Sequence, residues 1–122
     1  MTVARLGNIM LQVADVEKAF AFYTSVFDFV EMAGMSNRPA FAAVTAGGVT
    51  ISMRAGREGA APSSLIELGF AVADPEYVAS KIEEYGGHIT EHRHLEWGES
   101  IHGTDPDGYA FTLYRRAPDE PV

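Results

Sequence analysis

The segment "HITEHRHLEWGESIH" carries the chain's densest supply of metal-binding and proton-transferring groups. His92, His94 and Glu96 alternate, and alternate residues on a β-strand share one face. Imidazole nitrogens and a carboxylate on one face are ligand types that a transition metal takes. The same pattern also describes a polar outer face interrupted by Ile89, Leu95 and Trp97. Three ligands on one strand seldom converge on an ion without a further group from elsewhere, so the polar face is the expected reading. His88 follows two glycines and is expected at the surface. His102 stands between Ile101 and Gly103. It is a candidate general base or ligand-bonding imidazole. Glu67 would complete an acid–base pair with His102 if the fold turns the two together. The turn "DPDG" lacks the Asp/Asn series and distal Glu of a calcium loop. No Ser, His and Asp stand at a spacing that implies a triad.

The elements that must position these residues come in two similar sets. "ARLGNIMLQV" reads as a strand. It runs into Asp15, a good helix N-cap, with Glu17 in the first turn. "VEKAFAFYTSVF" then places Val16, Ala19, Phe20, Tyr23 and Phe27 on one helical stripe. "DFVEMAG" reads as a strand ending at Gly34. Two apolar runs near 40–46 and 48–54 flank "AGG" as a hairpin. After "REGAAPSS" (57–64), a linker candidate, the order starts again. "LIELGFAVAD" is a strand leading to Asp74 as N-cap, with Pro75 at the first helical position and Gly86-Gly87 as the helix end. "HITEHRHLEW", "ESIHGTD" and "YAFTLYRR" supply three more strands, and "APDEPV" is a frayed tail. The tripeptide "VAD" recurs at an offset of 59, and the same offset matches Asn8 with Glu67. The fold expected is α+β: two tandem βαβββ modules, about 1–56 and about 65–116, in one domain. Packed side by side, their curved sheets would enclose a cavity lined by convergent polar residues.

Composition narrows the function classes. A net charge of −8 argues against a nucleic-acid binder, since phosphates demand clustered Lys and Arg. The absence of cysteine excludes disulfides, thiolate catalysis and zinc–sulfur sites. No stretch approaches the roughly 18 apolar residues of a membrane span. The N-terminus lacks the basic and apolar regions of a signal peptide, so a cytoplasmic location is expected.

The duplicated pattern, with "VADVEKAFAFYTSVFDF" in one half and "DPDGYAFTLYRR" near the end, resembles the vicinal oxygen chelate superfamily. That group includes glyoxalases, extradiol dioxygenases, epimerases, fosfomycin-modifying enzymes and bleomycin-type resistance proteins. The resemblance implies ligand positions on the first and last strands of each module, which fall on Asn8, Ser52, Glu67 and Thr112. Metal enzymes of the family place His and Glu there. Here only Glu67 is of that kind, so no metal cofactor is expected, and a divalent ion at this position is the minor alternative. The resemblance also puts His102 at the cavity border and Trp97 where bleomycin-type binders carry an aromatic residue next to Gly. Met10, Phe41, Met53 and Tyr114 would extend an apolar lining. Arg54 would meet a ligand anion. The expected function is a metal-independent binder of a small amphipathic or aromatic compound, for example antibiotic sequestration, in a homodimer. The alternative is an enzyme of the same superfamily: a lyase, isomerase or dioxygenase with unusual metal ligands, or metal-free acid–base chemistry by Glu67 and His102.

Overall fold

The computed structural model describes residues 6–56, 66–96 and 98–115. The expected linker at 57–64, Trp97 and the C-terminal tail lie outside the described residues.

Each half begins with a strand that feeds a capped helix. β1 (Asn8–Val13) leads to α1 (Val16–Phe27), and Asp15 accepts a hydrogen bond from the backbone N–H of Lys18 at 3.1 Å. In the second half β5 (Glu67–Val72) leads to α2 (Pro75–Ile82), where Asp74 accepts from Tyr77 N–H at 3.2 Å. These side chains satisfy amide groups that the first helical turn leaves without an intrahelical partner. α1 ends at Asp28, whose φ of 58° is left-handed, a conformation that Asp tolerates better than most residues. β2 (Val30–Glu31), β3 (Phe41–Thr45) and β4 (Thr50–Ala55) complete the first half. β6 (His88–Leu95), β7 (Gly98–Thr104) and β8 (Ala110–Arg115) complete the second.

The strands form two four-stranded sheets, ordered β1-β4-β3-β2 and β5-β8-β7-β6. In each, the first strand runs parallel to the last strand of its own half, and the other pairs are antiparallel. The tandem βαβββ reading therefore holds. β2 is shorter than the strand expected through Gly34, because the chain turns after Glu31 and Met35 N–H bonds back to Met32 C=O.

One core lies between the sheets. Leu11, Val13, Ile51 and Met53 enter it from the first sheet, and Ile101, Phe111 and Leu113 from the second. α1 buries Val16, Ala19, Phe22, Tyr23 and Val26, while Phe20 and Phe27 are only partly buried. The buried face is thus wider than the single stripe expected, because α1 packs on both sheets. The Phe27 ring lies 4.3 Å from that of Phe70 of β5, tilted by 37°, across the module boundary. The "DPDG" turn also joins the modules. Asp107 accepts from Ala14 N–H at 2.7 Å. The Tyr109 hydroxyl bonds both Gln12 N–H and Gln12 C=O at 2.9 Å. Asp105, buried, accepts from the Tyr23 hydroxyl at 2.7 Å and from the N–H groups of Asp107 and Tyr109.

Candidate functional site

Strand alternation sends one set of side chains into the core and the other onto the face turned away from both helices. On the first sheet that outer face carries Asn8 and Met10 of β1 with Ser52 and Arg54 of β4 and Phe41 of β3. Met10 lies opposite Ser52, and Arg54 opposite Phe41. Asn8 is exposed and Met10 is 40% exposed, while Ser52 is buried beneath its neighbours. The Ser52 hydroxyl donates to Asn8 Oδ1 at 2.7 Å.

The second sheet repeats this arrangement in different residues. The Thr112 hydroxyl donates to Glu67 Oε1 at 2.6 Å, the counterpart of the Ser52–Asn8 bond. His102 of β7 lies beside Thr112 in the register and places Nδ1 3.2 Å from Glu67 Oε1 and 3.0 Å from Thr112 Oγ1. Its Nε2 lies 3.1 Å from the hydroxyl of Ser100. With Nδ1–H directed at Glu67, Nε2 is the acceptor, and Ser100 is the donor that occupies it. Glu67 is held below the ordinary carboxyl value of 4.5, first by the Thr112 hydrogen bond and then by the one from His102, with desolvation opposing. It is an anion at neutral pH, half exposed, facing an imidazole. Tyr114 shares this face, opposite Ala71 and Ser100.

Sequence reasoning missed Ser100. Its signal was alternation with His102 on one strand, which puts both on one face.

The expected residues gather as two groups rather than one. Asn8, Met10, Phe41, Ser52 and Arg54 occupy the outer face of the first sheet. Glu67, His102, Thr112 and Tyr114 occupy that of the second. The core lies between the sheets, and both outer faces turn away from it. A groove of about 320 Å³ lies elsewhere, lined by Asp74, Pro75, Glu76, Gly98, Glu99 and Arg115.

The four positions that the family resemblance assigns to a metal do not fit one. Asn8, Ser52 and Thr112 offer neutral oxygens, and zinc-type ions want imidazole, thiolate or carboxylate. Both hydroxyl protons are already committed, one to an amide oxygen and one to the single carboxylate. Glu67 and His102 make a pair of suitable ligands, but among the described residues no third His, Asp or Glu joins them.

His92, His94 and Glu96 fare differently. β6 ends at Leu95, so Glu96 leaves the strand. Glu99 of β7 takes its place, with one carboxylate oxygen 3.3 Å from His92 Nε2 and the other 3.4 Å from His94 Nδ1.

The architecture has many solved counterparts. A glyoxalase-related enzyme from Fulvimarina pelagi superposes with a TM-score of 0.79 at 17% identity, over 98% of this chain and 93% of that one. A glyoxalase/bleomycin resistance protein/dioxygenase family enzyme from Burkholderia phytofirmans PsJN gives 0.78 at 18%, over 90% and 97%. The fosfomycin resistance protein FosX from Mesorhizobium loti gives 0.75 at 21%, over 96% of each chain. No curated protein sequence matches the chain. The family model of the Glyoxalase/Bleomycin resistance protein/Dioxygenase superfamily matches residues 5–113, nearly the whole chain, and the protein belongs to that superfamily.

Proposed function

We propose that this protein is a metal-independent binder of a small amphipathic, aromatic compound, acting as a homodimer. The observation that carries the reading is the pair of hydrogen-bonded couples, Ser52–Asn8 and Thr112–Glu67, at the positions where metal enzymes of the superfamily place ligands. With His102 beside Glu67, they present an amide, a carboxylate and an imidazole, together with Met10, Phe41 and Tyr114 on the same outer faces. Such a surface suits a flat ligand with hydrogen-bonding groups, and the Glu67 anion favours a cationic substituent. The resistance protein FosX among the structural counterparts makes antibiotic sequestration a natural member of this class.

Two outermost strands support a dimer, although Tyr109 of the same chain already meets β1 at Gln12. β1 and β5, which carry Asn8 and Glu67, are each the outermost strand of their sheet. Leu6 and Ile66, just before them, are 65% and 66% exposed. Unpaired strand edges with exposed apolar residues are normally covered. Setting β1 of one copy beside β5 of another would join the two polar faces into one concave site.

The test is a panel of aromatic, amphipathic compounds, including cationic ones, titrated into protein in the presence of chelator. Fluorescence of the single tryptophan and melting temperature are the readouts, with light scattering for mass. Saturable binding by a dimer supports the reading. A monomer at about 100 µM, well above the micromolar range of moderate association, or a panel that moves neither signal, refutes it.

The Glu67–His102 contact favours one second reading, metal-free acid–base catalysis such as an isomerisation. Under it, Glu67→Gln abolishes turnover of a bound compound and leaves its affinity within a few fold. Under the binder reading there is no turnover to lose.

A further inference from the structure

We propose that His92, His94 and Glu99 form a surface site for a zinc-type divalent ion, separate from the polar faces described above. The three side chains place one ligand atom each within 4.8 Å of one another, and among the described residues no other group of three does so. The closest approaches are 3.3 Å from His92 Nε2 to one Glu99 oxygen and 3.4 Å from His94 Nδ1 to the other. Ligand atoms 2.0–2.1 Å from a tetrahedral ion stand about 3.3–3.4 Å apart, so with either Glu99 oxygen as the ligand one edge of the tetrahedron is already near length and the remaining separations are within 4.8 Å. The imidazole rings are stacked, with centroids 4.8 Å apart and planes at 24°.

The backbone makes this arrangement. His94 lies directly opposite Glu99 across the β6–β7 pair, and His92 lies opposite Ile101, two residues on. Residues so placed share a face and reach one another. The register shifts between Ile89 and Glu91, which makes Thr90 the extra residue of a bulge. Without it, His92 and His94 would alternate onto the face of His88, away from Glu99. A bulge that re-aims side chains is a known device beside binding sites. The side chains of His92 and His94 are 36% and 73% exposed, which leaves room for a water as the fourth ligand. Glu99 also borders the 320 Å³ groove, so the ion would sit at the rim of a space able to admit a small ligand. Two imidazoles and a carboxylate select Zn²⁺, Cu²⁺ or Ni²⁺ over Mg²⁺ or Ca²⁺, which want oxygen donors.

The experiment is calorimetric titration of Zn²⁺ into untagged, chelator-stripped protein, repeated with Co²⁺ followed by visible absorption. One equivalent per chain is expected, with Kd about 1–10 µM, as befits three exposed ligands rather than the four of a structural site. Losing even an outer-shell partner typically costs 10–100-fold in metal affinity, so His94→Ala and Glu99→Gln should each cost at least about tenfold. His88→Ala, on the other face of β6, should change nothing. Circular dichroism confirms that each variant is folded, and His94→Gln serves if His94→Ala is not. No saturable binding up to about 100 µM Zn²⁺, or binding that persists in His94→Ala and Glu99→Gln while His102→Ala removes it, overturns the proposal.

Discussion

Replacing Tyr23 by Phe should weaken the junction between the two modules and destabilise the fold. The hydroxyl donates to Asp105 Oδ2 at 2.7 Å, and both residues are almost fully buried. A hydrogen bond to a charged group contributes about 1.5–3 kcal/mol. Phe keeps the ring in place and leaves one carboxylate oxygen without its donor where water does not reach, so the upper end applies: about 2–3 kcal/mol against a total of about 5–15. With a urea slope of about 1–3 kcal/mol/M, the midpoint falls by roughly 1 M or more. The pH dependence provides a sharper check. Burial, then the Asp105 charge, holds the Tyr23 phenol well above its ordinary 10.0. A raised folded value means that the stability it contributes is complete below pH 10 and is lost as pH climbs toward that value. The unfolded chain sheds a proton that the folded one keeps, at up to about 1.4 kcal/mol per pH unit. Tyr23→Phe has no such proton, so the gap between the two proteins should narrow above pH 10. Asp105 reinforces the effect at neutral pH. Its carboxyl is raised by burial and lowered by the Tyr23 bond, so without that bond it rises further and opposes folding over a wider range. A loss below about 0.5 kcal/mol, less than a typical net hydrogen bond, or a gap constant from pH 7 to 11, would refute the reasoning.

Two further outcomes are expected. In Thr112→Val the Glu67 carboxyl should titrate closer to its ordinary 4.5, since the Thr112 hydroxyl is the largest cause of its depression; carbon NMR of the side chain reads this. A depressed folded value contributes stability above the unfolded pKa that is lost as pH falls through the folded one, so the variant should also lose less stability on acidification. Gly103→Ala should destabilise by about 1–3 kcal/mol, the usual cost of overpacking. Its new methyl group would collide with the His88 carbonyl oxygen and lie 2.9 Å from Phe111 Cζ, whereas Gly34→Ala, with nothing within 4 Å, should be close to neutral in thermal melts.

The duplication, both N-caps and the strand order were legible because they rest on local chemistry repeated at a fixed offset. Asp15 and Asp74 bond the third residue onward, as an Asp N-cap does. The buried face of α1 was legible only in part. A helix packed on one sheet shows one stripe, but α1 also meets the second sheet, so Phe22 and Val26 joined the core. The neighbourhood of Glu67 was not legible either. Glu67 and His102 are 35 residues apart and lie on strands separated by β8, so their contact depends on a pairing order that local pattern does not encode. The bulge at Thr90 has no local sign, yet it decides which face His92 and His94 occupy. Alternation offered Glu96 as their companion, but β6 ends at Leu95, and the bulge turns His92 and His94 to the face of Glu99 instead.

Strand β7 serves both candidate sites, and its alternation keeps them apart. Ser100 and His102 face outward with Glu67, while Glu99 and Ile101 point to the other side of the sheet. An ion held by His92, His94 and Glu99 therefore sits across the sheet from the groups able to move protons. It neither polarises a ligand bound beside Glu67 nor lowers the pKa of a water there, since both effects require direct coordination. One zinc per chain found by elemental analysis would thus not by itself establish metal catalysis at the family's site. The discriminating result is where the metal is lost. Removal by His94→Ala assigns it to the surface site and leaves the Asn8 and Glu67 couples to act by hydrogen bonding alone. Removal by His102→Ala would place it among those couples and refute their reading as metal-free.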